Sequence, residues 1–426
     1  MKTALVVLLC VYLGLQAFRY VLDCLNLGYV RRRAHAAAPE LAAVLGREFL
    51  DRMQLYLGET TRLGMIASGF STLAAVVFLF GGILDTYNSW TASMNLPFVV
   101  SGWLFFILLY LAWELLTLPF TLYSIFHIEQ KYGFNTMTCL VWLLDFLKGV
   151  VLSLLILTAV ACGGLALVQA SPGFWWFWVW CFFLAFTIFI TYIAPYVIEP
   201  LFNTFTPVED GSLKEAIIVL ASTAGIKVSR VLKMDESKRS RHTNAYFTGV
   251  GRTKRIVLFD TLLETMTPDE VFAVLAHEIG HWKRHHLLKG LLLTSFVSLV
   301  FFFCASHALS GHLLDTLFAI RVATFPAKAV IAGFFAGMLS FLSAPVMNGF
   351  SRRLEREADR FSCAFGGNGE AMINALVKLS KDNLSNLYPH PLYALFHYSH
   401  PPVLERIAYI RAYCEKDRGR PGGTPS

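Results

Sequence analysis

Val274-Leu275-Ala276-His277-Glu278-Ile279-Gly280-His281-Trp282 carries the pattern H-E-x-x-H. The pattern is chemically useful only on a helix, where residues four apart share a face and both imidazoles reach one metal ion. Glu278 then lies about 100° round the helix from His277. That is a poor place for a third ligand beside them, but a good one for taking a proton from the attacking water. The helix is announced by Thr267-Pro268-Asp269-Glu270: an N-cap Thr, Pro at the first helical position and Glu three residues after the cap. Val271 to Ala276 is apolar, so the histidines fall on the third turn of a mostly buried helix. The competing reading is a buried helix whose histidines are held by hydrogen bonds alone. The cap and the apolar lead-in favour the metal site, and a third ligand has to come from elsewhere. His281 and His285 are also four apart, but Trp282 stands where that pair would need its base.

Hydrophobic residues make up 56% of the 426-residue chain and charged ones 15%; the mean hydropathy is +0.55. That composition calls for membrane spans. Apolar runs at 3–22, 65–84, 98–119, 149–168, 174–198, 287–309 and 326–349 are each long enough to cross a bilayer, which predicts seven. The first run lacks a small-x-small cleavage site and reads as a retained span, not a signal peptide. The net charge of +7 is spread over several loops, which argues for topology and against nucleic acid. Placing 23–64, 121–148, 199–286 and 350–426 on one side leaves only Lys2, Arg321 and Lys328 opposite. The basic side is expected to be cytoplasmic, with the N-terminus outside. The eight cysteines are scattered, without C-x-x-C, and read as small buried hydrophobes. Glu114 lies inside the third run, facing either a polar cavity or the interface.

The insertion 199–286 is the one long polar segment between spans. Pro207 to Leu220 reads as a loop entering a helix, and Arg241–Phe247 and Arg255–Phe259 as two strands joined through Gly249-Val250-Gly251. Such a ribbon could accept a peptide as an added strand, or simply pack on the metal helix. After the last span comes Ser351-Arg352-Arg353-Leu354-Glu355-Arg356-Glu357-Ala358-Asp359. Glu355 and Asp359 share a helical face, which suits a ligand and a carboxylate holding a ligand histidine. Glu355 is therefore the expected third ligand, beside His277 and His281, with Asp359 behind it. A solvated charged turn is the alternative for that stretch taken alone. His400 stands at the entry of a Pro-started helix, and the tail from 415 is polar and expected to be disordered. A metzincin is excluded, because Arg284 and Leu287 stand where that pattern needs Gly and His.

Further stretches carry a resemblance: Ile128-Glu129-Gln130-Lys131-Tyr132-Gly133-Phe134-Asn135, Ile198-Glu199-Pro200-Leu201-Phe202-Asn203, Asn244-Ala245-Tyr246-Phe247 and His400 to Arg406. With the metal motif and Glu355 to Asp359, they resemble, in order, the type I CaaX prenyl endopeptidases, integral-membrane zinc proteases of the gluzincin group. The resemblance implies one Zn²⁺ per chain on His277, His281 and Glu355, with Glu278 as general base and acid. It implies that His400 stabilises the tetrahedral intermediate and that Arg406 helps hold the substrate. Asn244, Ala245 and Tyr246 would hold that substrate as an added strand. It also implies seven tilted helices around a water-filled chamber. Glu357 stands where eukaryotic members carry Gln, and bears on no assigned role. The short chain resembles a bacterial member, which would place it in the inner membrane.

The expected fold is thus mainly α, a multi-pass membrane protein with seven transmembrane helices around a chamber and a small α+β zinc-protease region on the cytoplasmic side. Its expected parts are 1–198 with spans one to five, 199–286 with the metal helix, 287–349 with spans six and seven, and 350–426 with the third ligand. The expected activity is zinc-dependent hydrolysis of a membrane-associated or CaaX-type peptide or protein, prenylated ones included, in contact with membrane lipid. The rival is a non-catalytic adaptor that keeps zinc for structure. Such a site is usually closed by four protein ligands, often cysteine, and none lies near this motif.

Overall fold

The computed structural model describes residues 2–35, 45–248, 253–366 and 369–418. Its long helices are α1 (Lys2–His35), α2 (Arg47–Phe80), α3 (Phe98–Tyr123), α4 (Cys139–Ala170) and α5 (Trp175–Ile193). A polar region follows with β1 (Phe205–Pro207), α6 (Ser212–Thr223), β2 (Lys227–Met234), β3 (Ala245–Thr248), β4 (Thr253–Phe259) and α7 (Pro268–Lys283). Then come α8 (His286–Ser310), α9 (Phe325–Gly366), α10 (Gly369–Asp382) and α11 (Val403–Arg418). Among the described residues, seven helices are long and apolar enough to cross a membrane: α1 to α5, α8 and α9. Each overlaps one of the predicted runs.

Several helices outgrow those runs. α4 starts at Cys139, ahead of the predicted 149, and α2 takes in much of the polar segment before residue 65. Nothing in these flanks breaks a helix, and the polarity of a side chain does not end one. In α9 the consequence is functional, because the span and the Glu355–Asp359 turn are one continuous helix of 42 residues. The tail is helical to Arg418, further than its polar composition predicts; 419–426 and the Gly249–Gly251 turn lie outside the described residues.

Neighbouring spans touch in the order α1, α2, α3, α4, α5, α8, α9. The circuit closes where α1 meets α9 through Tyr12–Phe334 and Phe18–Phe341, with ring centroids 4.9 and 6.2 Å apart. All seven converge at one end in an apolar cluster that includes Leu5, Leu79, Phe105, Trp175, Leu309 and Ile331. Only 0–17% of each span's 18-residue apolar window is buried within the protein, so most of that surface is left for lipid or for the ring's interior. At the closed end Arg321 pairs with Asp85 at 2.6 Å and Lys328 with Asp315 at 2.9 Å. Two of the three cations expected on that side are thus paired locally.

The polar region builds a four-stranded sheet in the order β1-β2-β4-β3. β3 and β4 form the expected antiparallel pair, Ala245 opposite Leu258 and Thr248 opposite Arg255. β2 runs parallel to β4, and β1 antiparallel to β2; neither β1 nor β2 was read from the sequence. β2 mixes Lys, Ser and Arg with its apolar residues, and only Val231, Leu232 and Met234 are buried. The sheet's apolar side joins α6 and α7 in one core with Ile217, Ile256, Leu258, Leu262 and Leu275. β3 remains an edge.

Candidate active site

The site begins with the cap of α7. Thr267 Oγ1 accepts from the Glu270 amide, and Glu270 Oε2 accepts from the Thr267 amide at 2.8 Å, closing the capping box. Lys378 on α10 donates to the same carboxylate at 2.7 Å, tying the helix start to its neighbour. Further along, Gly280 lets α9 come close: a Cβ there would meet Ala358 Cα and Phe361 Cβ at 3.1 Å. Ser362 donates to the Ala273 carbonyl at 2.9 Å, fixing the register of the two rods. That register sets Glu355 and Asp359 opposite His277.

His277, His281 and Glu355 then converge. His277 Nε2 lies 3.1 Å from His281 Nε2 and 3.4 Å from Glu355 Oε2, and His281 Nε2 lies 3.2 Å from Glu355 Oε1. A tetrahedral zinc ion with bonds near 2.0–2.2 Å separates its ligand atoms by roughly 3.3 Å. Asp359 Oδ1 lies 2.9 Å from His277 Nδ1, so that nitrogen carries the proton and Nε2 presents its lone pair to the centre. Glu355 Oε2 is buried without a hydrogen-bond partner, an orphan acceptor that a cation would satisfy. The residues fit the metal.

Burial opposes a charge on His277, but the Asp359 and Glu355 carboxylates beside it outweigh that and raise its pKa to about 9. On this shift metal-free protein should hold a proton on His277 at neutral pH, and a bound metal would have to displace it. Below about pH 9 this proton is released on binding, so affinity should climb tenfold per pH unit and level off above it. Calorimetry in buffers of different protonation enthalpy reads this release; pH-independent binding with no proton exchange would contradict it.

Glu278 lines a cavity of about 170 Å³ with His277, His281, Glu355, Asn244, Ala245, His400 and Arg406. Burial raises its pKa, the direction a base that must also return a proton requires. His400 sits at the open side, 64% exposed, with Nε2 3.2 Å from Glu355 Oε1 and Ser399 Oγ 3.0 Å from Nδ1. A Ser399 hydroxyl donated to Nδ1 leaves Nε2–H pointing into the cavity. Arg406 lines the same cavity and is also held by a carboxylate. Nε and Nη2 fork onto Asp359 at 3.0 and 2.6 Å, so it braces the carboxylate that orients His277.

On the sheet, Phe259 N–H donates to the Asn244 carbonyl, which makes Tyr246 and Val257 the next mutually bonded pair. The main-chain groups of Ala245 and Phe247 then face the free edge, and Asn244 Oδ1 accepts the Ala245 N–H at 2.9 Å. Tyr246 turns its hydroxyl to Glu199 at 2.9 Å, so its side chain anchors the strand to the end of the fifth span. Arg239 joins Asn203, Phe202 and Asp145 in the same seam. Glu129 accepts from Tyr56 at 2.7 Å and faces His242 at 3.5 Å. The stretches around Glu129 and Glu199 thus hold the sheet against the membrane helices.

The sequence reading gave His286 no place and Glu357 no role. His285 adopts a left-handed conformation, φ 53°, which ends α7 and starts α8; it is exposed, and its pairing with His281 does not form. His286, 5% exposed, folds back onto His281, and Glu357 contacts His286 and Lys289. The adjacent histidines were the available signal, but only the helix break decides which one turns inward.

Comparison with known proteins follows this geometry. Residues 26–204 match the CAAX prenyl protease N-terminal family, five membrane helices, and residues 207–414 match peptidase family M48. The chain is 32% identical over 384 residues to CAAX prenyl protease 1 homolog of Arabidopsis thaliana, covering 87% of this chain and 89% of that protein. CAAX prenyl protease 1 of Saccharomyces cerevisiae is 35% identical over 328 residues, 71% and 70% of the two chains. The crystal structure of S. mikatae Ste24p superposes with a TM-score of 0.87 at 27% identity, covering 95% of this chain and 98% of that one. With its H-E-x-x-H helix and seven membrane helices, the chain belongs to the type I CaaX prenyl proteases of peptidase family M48, integral-membrane metalloendopeptidases.

Proposed function

We propose that the chain is a zinc endopeptidase that cleaves C-terminal CaaX-type peptides, prenylated ones among them, at the cytoplasmic face of its membrane. The observation that carries this reading is the convergence of His277, His281 and an orphaned Glu355 oxygen beside the free edge of β3. Zinc bound there would polarise the scissile carbonyl and acidify the attacking water. The peptide backbone lies along Ala245 and Phe247 as an added strand, which brings a carbonyl to the cavity. Glu278 takes the proton from the attacking water and returns it to the leaving amine. His400 donates Nε2–H to the developing oxyanion. Arg406 acts at one remove, keeping Asp359 charged and aligned on His277. The names of the relatives support the CaaX substrate class.

Purified protein incubated with matched prenylated and unprenylated CaaX peptides tests the reading. Cleavage should occur, faster with the lipid, and should stop with phenanthroline; cleavage that survives complete zinc removal would sink it. On the same substrate His400→Ala should keep its zinc while kcat falls on the order of 10²–10³. KM should change far less, because that hydrogen bond strengthens in the transition state. Unimpaired kcat would remove His400 from the mechanism.

Sidedness rests on the basic loops. Single cysteines at Arg32 and Arg353 should label from the cytoplasmic side only, and one at Tyr87 from the opposite side only. Labelling of residue 353 from outside would invert the topology.

A further inference from the structure

The two histidines of the metal helix are held by unlike partners. His277 Nδ1 meets the Asp359 carboxylate directly, at 2.9 Å. His281 Nδ1 instead meets another imidazole, His286 Nδ1, at 2.9 Å, with ring centroids 4.9 Å apart and planes at 81°. His286 Nε2 lies 3.3 Å from Glu357 Oε2, and Lys289 Nζ lies 3.1 Å from the same oxygen. Only one arrangement of protons satisfies this chain with His281 Nε2 free for a metal. His281 Nδ1–H donates to His286 Nδ1, and His286 Nε2–H donates to Glu357. From these contacts we infer that His286 and Glu357 are positioning residues, an imidazole–carboxylate relay that sets the tautomer and ring plane of ligand His281.

The backbone supports this. In an unbroken helix His286 would sit five residues past His281, about 140° away around the axis. The left-handed His285 stops α7, and α8 begins by returning His286 to the His281 ring. A non-glycine residue at positive φ is uncommon, and here it re-aims a buried histidine. Glu357 comes from α9, two residues after Glu355, so one helix supplies both a ligand and the outer end of the relay. A glutamine at 357 could accept the same hydrogen bond through its amide oxygen, so the relay asks for an acceptor there and not for a charge.

The inference rests on the zinc reading above, and the experiment separates the two. Zinc affinity of the full-length protein is measured by competition with a chromophoric chelator, with thermal unfolding of the metal-free form alongside. If wild-type protein binds no zinc, the proposed function fails first. If it binds, His286→Leu should weaken zinc ~10–100-fold, the usual cost of losing a ligand's outer partner. His286→Gln supplies one acceptor and one donor and should stay within about threefold of wild type. Glu357→Leu should weaken zinc less than His286→Leu, and Glu357→Gln should restore it. These pairs hold side-chain bulk roughly constant, so packing alone predicts equal losses within each pair. Unchanged affinity in His286→Leu, or equal losses in its Leu and Gln variants, overturns the relay. Should His286→Leu fail to fold, the Glu357 pair decides: equal affinity in Leu and Gln overturns it, and a loss confined to Leu supports it.

Discussion

Glu355→Ala should leave the protein folded, nearly free of zinc and without measurable hydrolysis. On the proposed reading its carboxylate is the third ligand, and its two oxygens lie 3.2 and 3.4 Å from the histidine nitrogens. Removing it leaves two neutral imidazoles, a pair too weak to hold the ion against a chelator. Asp359→Asn makes the informative contrast. Asp359 is 0% exposed and touches His277 Nδ1 and Arg406 without reaching the centre. Zinc should weaken ~10–100-fold in that variant, and activity should return when zinc is raised. Metal analysis with kinetics across a zinc titration reads both variants. Full zinc content in Glu355→Ala would mean that the third ligand lies elsewhere.

Glu278→Gln should do the reverse and keep one zinc per chain while kcat falls on the order of 10²–10⁴. The amide fits the same space but accepts no proton from the attacking water. Burial already pushes the Glu278 carboxyl upward, so the wild-type activity profile should fall on its acid side above the ordinary carboxylate range. Stability should change little, because Glu278 only lines the cavity. Wild-type kcat in a zinc-loaded Glu278→Gln protein would remove the base from the mechanism.

Much of this site was legible before any coordinates. The capping box, the apolar lead-in and the His277–His281 spacing are properties of one helix, set within a few residues by backbone periodicity. The seven spans follow from apolar length alone. β2 was not legible, because its Lys, Ser and Arg residues hide a strand that tertiary burial stabilises. Nor was the pairing of Arg406 with a buried carboxylate 47 residues away.

Sequence by itself determined which residues could share a helical face: His277 with His281, and Glu355 with Asp359. Whether those faces meet depends on contacts between distant segments, which no local pattern encodes. The absent side chain of Gly280 lets α9 approach to within contact of α7. The left-handed turn at His285 sends one histidine to solvent and the next onto a ligand. A loop brings His400 to 3.2 Å from Glu355. Helix periodicity repeats every few residues and can be read along the chain, but the packing that turns two helices and a loop into one metal centre exists only in the folded protein.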